Sequence, residues 1–305
     1  MSGLKIIRLC KTYADKLVVD HISLSAIRGE ITGFLGPNGA GKTTTIRMIM
    51  GITAPDSGSI DFLDTGSAKI PHHMIGYLPE ERGLYKDSKV INMLRFLSGL
   101  KGMDSRDVTP KAMYWLDKFG IADKAHSKIE ELSKGMAQKV QFIATILHEP
   151  TYIILDEPFT GLDPVSQDLF KTELRRFADA GATILLSSHQ MNILEELCDK
   201  IFLIHKGKEL FHGSLSDLQD AYGNVVIKLH LGDAADIPRI AELNGIQNIK
   251  QTGAGKLELD LIESANAQSI LREIPSDIVL KELSLARSGL HEIFVKIAKD
   301  GRDEV

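Results

Sequence analysis

The stretch Gly36-Pro37-Asn38-Gly39-Ala40-Gly41-Lys42-Thr43-Thr44 decides how the rest of the chain is read. It fits the pattern G-x-x-x-x-G-K-[ST] and follows Ile31 to Leu35, "ITGFL", an apolar run that reads as a buried strand. A strand that turns through glycines into a helix can wrap backbone N–H groups around a phosphate, and the helix N-terminus adds a favourable dipole. Gly36, Gly39 and Gly41 give the backbone room to curl, so the N–H groups from Asn38 through Ala40 to Thr44 converge on one anion. Lys42 supplies a point charge for β- and γ-phosphates, and the Thr43 hydroxyl is a hard oxygen ligand for Mg²⁺.

Working outward, residues 4 to 35 alternate apolar and polar positions in short runs, which reads as β-rich structure ending in "ITGFL". From about Leu84 to Leu147 the spacing turns helical, with Leu94, Leu97 and Leu100, or Trp115, Leu116 and Phe119, along single faces. This predicts an inserted helical subdomain over about 84–147. Strands return at "YIILDE" and "ATILLSSH" around a helix that starts after Pro164, the rhythm of a parallel sheet. A hairpin follows, with its turn at Lys206-Gly207.

The second strand set brings acids to the phosphate loop. Asp156 ends "YIILD", where a carboxylate can face the magnesium, and Glu157 comes next as the candidate general base for an attacking water. The plainer reading of Glu157 is an exposed acid before a turn. His189 follows "TILLSS" beyond the carboxyl end of a strand, where it can hydrogen-bond a γ-phosphate and hold the water in line.

Composition limits the alternatives. The chain has 305 residues, 43% hydrophobic and 25% charged, enough for a large domain and a smaller one. A net charge of -5 and a pI near 6.1 argue against a general nucleic-acid or anionic-membrane binder. Cys10 and Cys198 are far apart and lack ligand spacing, so they read as buried thiols in a reducing compartment. No apolar run approaches the roughly 20 residues of a membrane span, and "MSGLKIIRLCK" lacks the core of a secretory signal. A soluble, cytoplasmic protein is expected.

A second loop, Leu132-Ser133-Lys134-Gly135-Met136, opens directly into a helix-like run. Ser133 offers a hydroxyl and Gly135 an unhindered N–H at a helix N-terminus, an anion site with no anion of its own. Taken together, "GPNGAGKTT", "LSKGM", "YIILDEP", "GLD" (Gly161 to Asp163) and "SSH" occur in the order and approximate spacing of ATP-binding-cassette ATPase subunits, and the resemblance covers residues 1 to about 218.

It implies a P-loop ABC ATPase of α/β class, with a parallel-sheet core, an N-terminal antiparallel β subdomain and a helical subdomain. It also implies ATP and Mg²⁺ as cofactors, with Asp163 among the nucleotide-binding residues, and head-to-tail dimers in which Ser133 and Gly135 close over the partner's γ-phosphate. Lys134 and Met136 depart from the family's Leu-Ser-Gly-Gly-Gln. Lys134 either adds a cation near the phosphates or points to solvent, and Met136 cannot make glutamine's ribose hydrogen bonds. Glu80 stands where the family places a glutamine that meets Mg²⁺ and the lytic water. Its carboxylate can still ligate the metal, and the plainer reading is a solvated loop acid. Tyr13 lies where the family stacks an aromatic ring on adenine, and Val18 where an apolar nucleoside contact is common; core packing is the alternative for both.

Beyond the cassette, residues 219–305 read as β-α-β-β-α-β-α, a small α+β ferredoxin-like domain. The signature loop, "LPEERGLY" and the tail "SLARSGLHEIFVKI" resemble the subunits of ABC-2-type exporters, including NatA-like sodium-efflux and drug-efflux subunits. The resemblance implies a separate multi-span permease as partner, a homodimer or cassette heterodimer, a peripheral place on the inner membrane face, and sodium or a drug as cargo, with no nucleic acid. Two rival readings are a soluble cassette ATPase acting on nucleic acid or ribosomes, and a regulatory ATP sensor that binds without turnover.

Overall fold

The computed structural model describes residues 2–65, 70–81, 83–223, 225–262, 265 and 267–300. Arg82 of "LPEERGLY", Asn266 at the head of the expected helix "NAQSILREI" and residues 301–305 of the expected C-terminal domain lie outside the described residues. The chain divides into two compact units, Met1–Ser214 and Leu215–Val305. The sequence reading put the boundary at 218/219, inside helix Leu215–Tyr222. That helix goes with the second unit because Leu218 is buried, Gln219 Nε2 donates to Ser288 O at 3.3 Å, and the helix packs on helix Leu290–Asp300.

The first unit carries a six-stranded sheet in the order Ile75–Leu78, Tyr152–Asp156, Thr183–Ser187, Ile31–Leu35, Lys200–His205, Lys208–Gly213. All neighbours are parallel except the last pair. Tyr152–Asp156, Thr183–Ser187 and Ile31–Leu35 are buried at every residue, as parallel strands covered on both faces must be. Ile31–Leu35 lies between two parallel neighbours, so the loop that follows it emerges at the sheet's carboxyl edge, beside the ends of Tyr152–Asp156 and Thr183–Ser187. The Lys206-Gly207 turn has φ of 48° and 83°, the left-handed pair that a two-residue hairpin requires.

A three-stranded antiparallel sheet, in the order Lys16–Ile27, Gly3–Tyr13, Ser57–Phe62, forms the expected N-terminal β layer. Helices Val90–Leu100, Ser105–Lys118 and Lys134–Ile146 fall in the expected helical segment. Trp115, Leu116 and Phe119 are buried as their spacing predicts, and Phe142 stacks on Phe170 with centroids 4.0 Å apart. Each such ring contributes about 1.5–3 kcal/mol on burial. Leu100 differs from the expectation: it is the last residue of its helix, before the C-cap Lys101, and is 68% exposed.

In the second unit the strands run Ile246–Gly253, Lys256–Leu261, Val225–Leu231, Leu280–Arg287, all antiparallel. Numbered within the domain this order is 2-3-1-4, the ferredoxin-like arrangement read from the sequence. Ile227, Leu229, Leu257 and Leu259 from one sheet face pack with Ile240 and Ile270 of its helices, so this unit has its own core.

Candidate nucleotide site

Helix Lys42–Ile49 begins at Gly41, whose φ of 108° suits only glycine. A Cβ there would lie 2.7 Å from Val18 O, and one on Gly36 would lie 2.4 Å from Ile204 O, so strand neighbours press the loop into shape from outside. Thr45 Oγ1 donates to Gly41 O at 2.9 Å and ties the first helical turn to the loop. Lys42 Nζ folds back on the loop, donating to Gly36 O at 2.7 Å and Pro37 O at 3.2 Å. Burial depresses the Lys42 ammonium, and the charges of Glu157, Asp156 and Glu80 offset part of that effect. The three carboxylates thus face one lysine across the pocket.

The opposite wall comes from two adjacent parallel strand ends. Asp156 is 2% exposed; its Oδ1 accepts a short hydrogen bond from Ser187 Oγ, while its buried Oδ2 has no hydrogen-bond partner among the described residues. A buried carboxylate oxygen without a donor suits a cation, and the Thr43 hydroxyl lines the same pocket. These residues therefore fit Mg²⁺. Glu157 sits at φ 53°, a left-handed conformation rare for a long side chain, held by a hydrogen bond from its N–H to Ser187 O at 3.1 Å. Its Oε2 meets His189 Nδ1 at 2.8 Å and accepts from Ser188 Oγ at 3.5 Å. Burial raises the Glu157 carboxyl above its ordinary range, and the His189 hydrogen bond, the His189 charge and the Lys42 charge pull it back. A carboxylate so poised suits a general base.

The open pocket between these walls has a volume of about 300 Å³. Val18, Asn38, Gly39, Gly41, Lys42, Thr43 and Thr44 line one side, and Glu80, Asp156 and Glu157 the other. Gly36 and Ala40 belong to the same loop, both buried, with Ala40 O accepting from Gly207 N at 3.0 Å. Tyr13 is 44% exposed on the antiparallel layer, with Lys11 Nζ 5.5 Å from its ring centroid, and is not among the lining residues.

The second loop also lies outside this pocket. Ser133 caps helix Lys134–Ile146 by accepting from Met136 N at 3.2 Å, which leaves its hydroxyl hydrogen free to donate. Lys134 is exposed, and Gly135 is tight against Gly161, where a Cβ would stand 3.1 Å from the carbonyl oxygen. Both carboxylate oxygens of Asp163 are used locally: Oδ1 accepts from Ser166 N at 2.9 Å and Oδ2 from Ser166 Oγ at 2.6 Å, capping helix Pro164–Asp179.

Sequence reasoning missed two buried amides on the second loop's helix. Gln138 Nε2 donates to Pro158 O at 2.9 Å and Gln141 Nε2 to Pro79 O at 3.1 Å. One helix thereby grips the residue after Glu157 and the residue before Glu80. The available signal was two polar residues, i and i+3, among the helix's core positions. An apolar groove of about 240 Å³ adjoins Pro79, with Met50, Tyr77, Leu84, Leu97 and Leu100 on its walls and Lys101 and His148 among them. Burial, then the Lys101 charge, pushes the His148 imidazole down to about 4.

Comparison with known proteins agrees with this geometry. Residues 19–160 match the ABC transporter family, and residues 213–298 match the C-terminal domain of DrrA1-3-like ATP-binding proteins. The chain is 38% identical to the uncharacterized ABC transporter ATP-binding protein YhaQ of Bacillus subtilis, over 96% of this chain and 97% of that one. It is 34% identical to the Nod factor export ATP-binding protein I of Rhizobium etli, over 78% of this chain and 76% of that one. A solved ATP-binding subunit of an ABC transporter superposes with a TM-score of 0.68 at 30% identity, covering 72% of this chain and 93% of that one. With the phosphate loop, the Asp156–Glu157 strand end and the second loop placed as described, the chain belongs to the ATP-binding subunits of ABC transporters, a family of ATPases.

Proposed function

We propose that this chain is the ATP-hydrolysing subunit of a membrane exporter, working as one of two cassettes beneath a separate permease. The observation that carries the hydrolytic part is the meeting of Lys42, Asp156 and Glu157 in one pocket, with Asp156 Oδ2 unpartnered among the described residues. On binding ATP, Lys42 exchanges the Gly36 and Pro37 carbonyls for phosphate oxygens, and the loop N–H groups cradle the β-phosphate. Thr43 and Asp156, with Glu80, hold Mg²⁺, which supplies charge neutralisation at the phosphates. Glu157 takes a proton from the attacking water as its oxygen bonds to the γ-phosphorus and ADP departs. His189 holds the carboxylate in place.

The second loop, outside its own pocket, capped by Ser133 and with Ser133 exposed, serves the γ-phosphate of a second cassette. Tyr13 stacks on the adenine, Val18 contacts the nucleoside, and Asp163 stands at the junction of the two cassettes. The apolar groove beside Pro79 receives a cytoplasmic helix of the permease. Leu100 on its wall is exposed, exposed Tyr85 and Phe96 are chain neighbours of the lining residues Leu84 and Leu97, and Pro79 on its wall precedes Glu80. Export is favoured by the Nod factor relative, and among the described residues no helix is long and apolar enough to cross a membrane.

The test is nucleotide-dependent dimerisation of Glu157→Gln, followed by sedimentation. ATP is expected to produce a dimer and ADP to leave monomers, because the bridging phosphate is gone. Gly135→Glu in the same background should abolish the dimer while ATP still binds the monomer. A tight ATP dimer that survives Gly135→Glu overturns the role given to this loop.

A further inference from the structure

A cluster of metal-ligating side chains lies on the antiparallel layer, outside the nucleotide pocket. Strands Gly3–Tyr13 and Lys16–Ile27 pair Leu9 with Ile22 and Lys11 with Val19. Between those pairs Cys10 alone therefore opposes both Asp20 and His21, a β-bulge. In a regular strand, neighbours such as Asp20 and His21 point to opposite faces. Here His21 has φ 51°, and its Nδ1 comes to 2.7 Å from Asp20 Oδ1. The result is one thiol, one carboxylate and one imidazole whose ligand atoms all lie within 4.8 Å of one another.

We propose that Cys10, Asp20 and His21 form a binding site for a thiophilic divalent cation of the zinc class. The donor set is the one such ions take: thiolate sulfur, imidazole nitrogen and carboxylate oxygen, with three protein ligands leaving a fourth position to water. The His21 backbone N–H donates to Cys10 Sγ at 3.3 Å and holds the sulfur at the cluster. Cys10 is 7% exposed and Asp20 half-buried, while the His21 side chain is 54% exposed, so the site is backed by protein and reached from solvent through the imidazole. Lys208 Nζ, 3.7 Å from Asp20 Oδ2, steadies the oxygen that the ion does not need. Binding forms a metal–sulfur bond and releases the thiol proton to solvent. The segment is wired to the phosphate loop: Asp20 N donates to Gly207 O at 2.8 Å, and Gly207 N to Ala40 O at 3.0 Å.

The test uses the full chain, treated with chelator and titrated with Co²⁺ while Mg²⁺ and ATP occupy the nucleotide pocket. A thiolate-to-cobalt charge-transfer band should grow, saturate at a single equivalent and bleach on adding Zn²⁺. Cys10→Ser should abolish it and Cys198→Ser leave it unchanged. His21→Asn tolerates the left-handed backbone and keeps the thiol, and it should weaken Co²⁺ binding more than about tenfold. Retained ATP binding certifies that each variant is folded. The proposal is overturned if the wild-type chain gives no charge-transfer band, if the band survives Cys10→Ser, or if His21→Asn binds Co²⁺ as tightly as wild type.

Discussion

Replacing Glu157 by glutamine separates water activation from nucleotide binding. The side chain is 11% exposed and wedged between His189 and Ser188, and glutamine has the same shape, so the backbone at φ 53° has no reason to move. What is lost is the proton acceptor. General-base assistance contributes about 10²–10⁴-fold in rate, so kcat should fall by that factor, about 3–5 kcal/mol of barrier. Binding should move the other way. Glu157 is one of three carboxylates whose charge reaches Lys42, and removing it lessens repulsion toward the phosphates, so ATP affinity is held or improved. Single-turnover phosphate release measures the first quantity and calorimetric titration with ATP under non-hydrolysing conditions the second. A turnover rate within about threefold of wild type, or a loss of affinity that accounts for the whole drop, refutes the assignment of Glu157 as base.

Three further outcomes follow from the same geometry. Lys42→Ala removes a half-buried cation whose charge-assisted hydrogen bonds are worth about 1.5–3 kcal/mol, so the Kd for ATP should rise about 10–150-fold in a direct binding assay. In the pH profile of kcat, burial places the acidic limb above the ordinary glutamate range, since Glu157 must be ionised to act; His189→Ala removes the donor that favours the carboxylate and should move that limb to higher pH, whereas a uniform loss of rate with an unmoved limb would give His189 a role on the phosphate alone. A truncated chain ending at Ser214 should fold and bind ATP, because each unit has its own core, and insolubility of that chain would show that the second unit completes the first.

The phosphate loop, the buried strand before it and the acids at the end of Tyr152–Asp156 could be read directly because each is contiguous. The strand-to-helix passage at Gly41-Lys42 and the apolar run before Asp156 carry their meaning in consecutive residues. The ferredoxin-like order of the second unit was legible for a similar reason: alternation and turn residues mark each strand, and short connections leave few topologies. Tertiary structure decided what depends on which strands become neighbours. The hold of Ser187 on Asp156 and of His189 on Glu157 exists only because Thr183–Ser187 pairs in parallel with Tyr152–Asp156, in a register that sets Ser187 beside Asp156. The grip of Gln138 and Gln141 on Pro158 and Pro79 needed the helix to be packed before its buried face was known. Asp163 as a helix cap and the boundary at Ser214 likewise came from contacts. In the sequence Cys10 is an isolated thiol, and a one-residue bulge sets Asp20 and His21 against it. Register and bulges are settled by the packing of a whole sheet, where one inserted residue re-aims the side chains that follow, and no local pattern of residues encodes that choice.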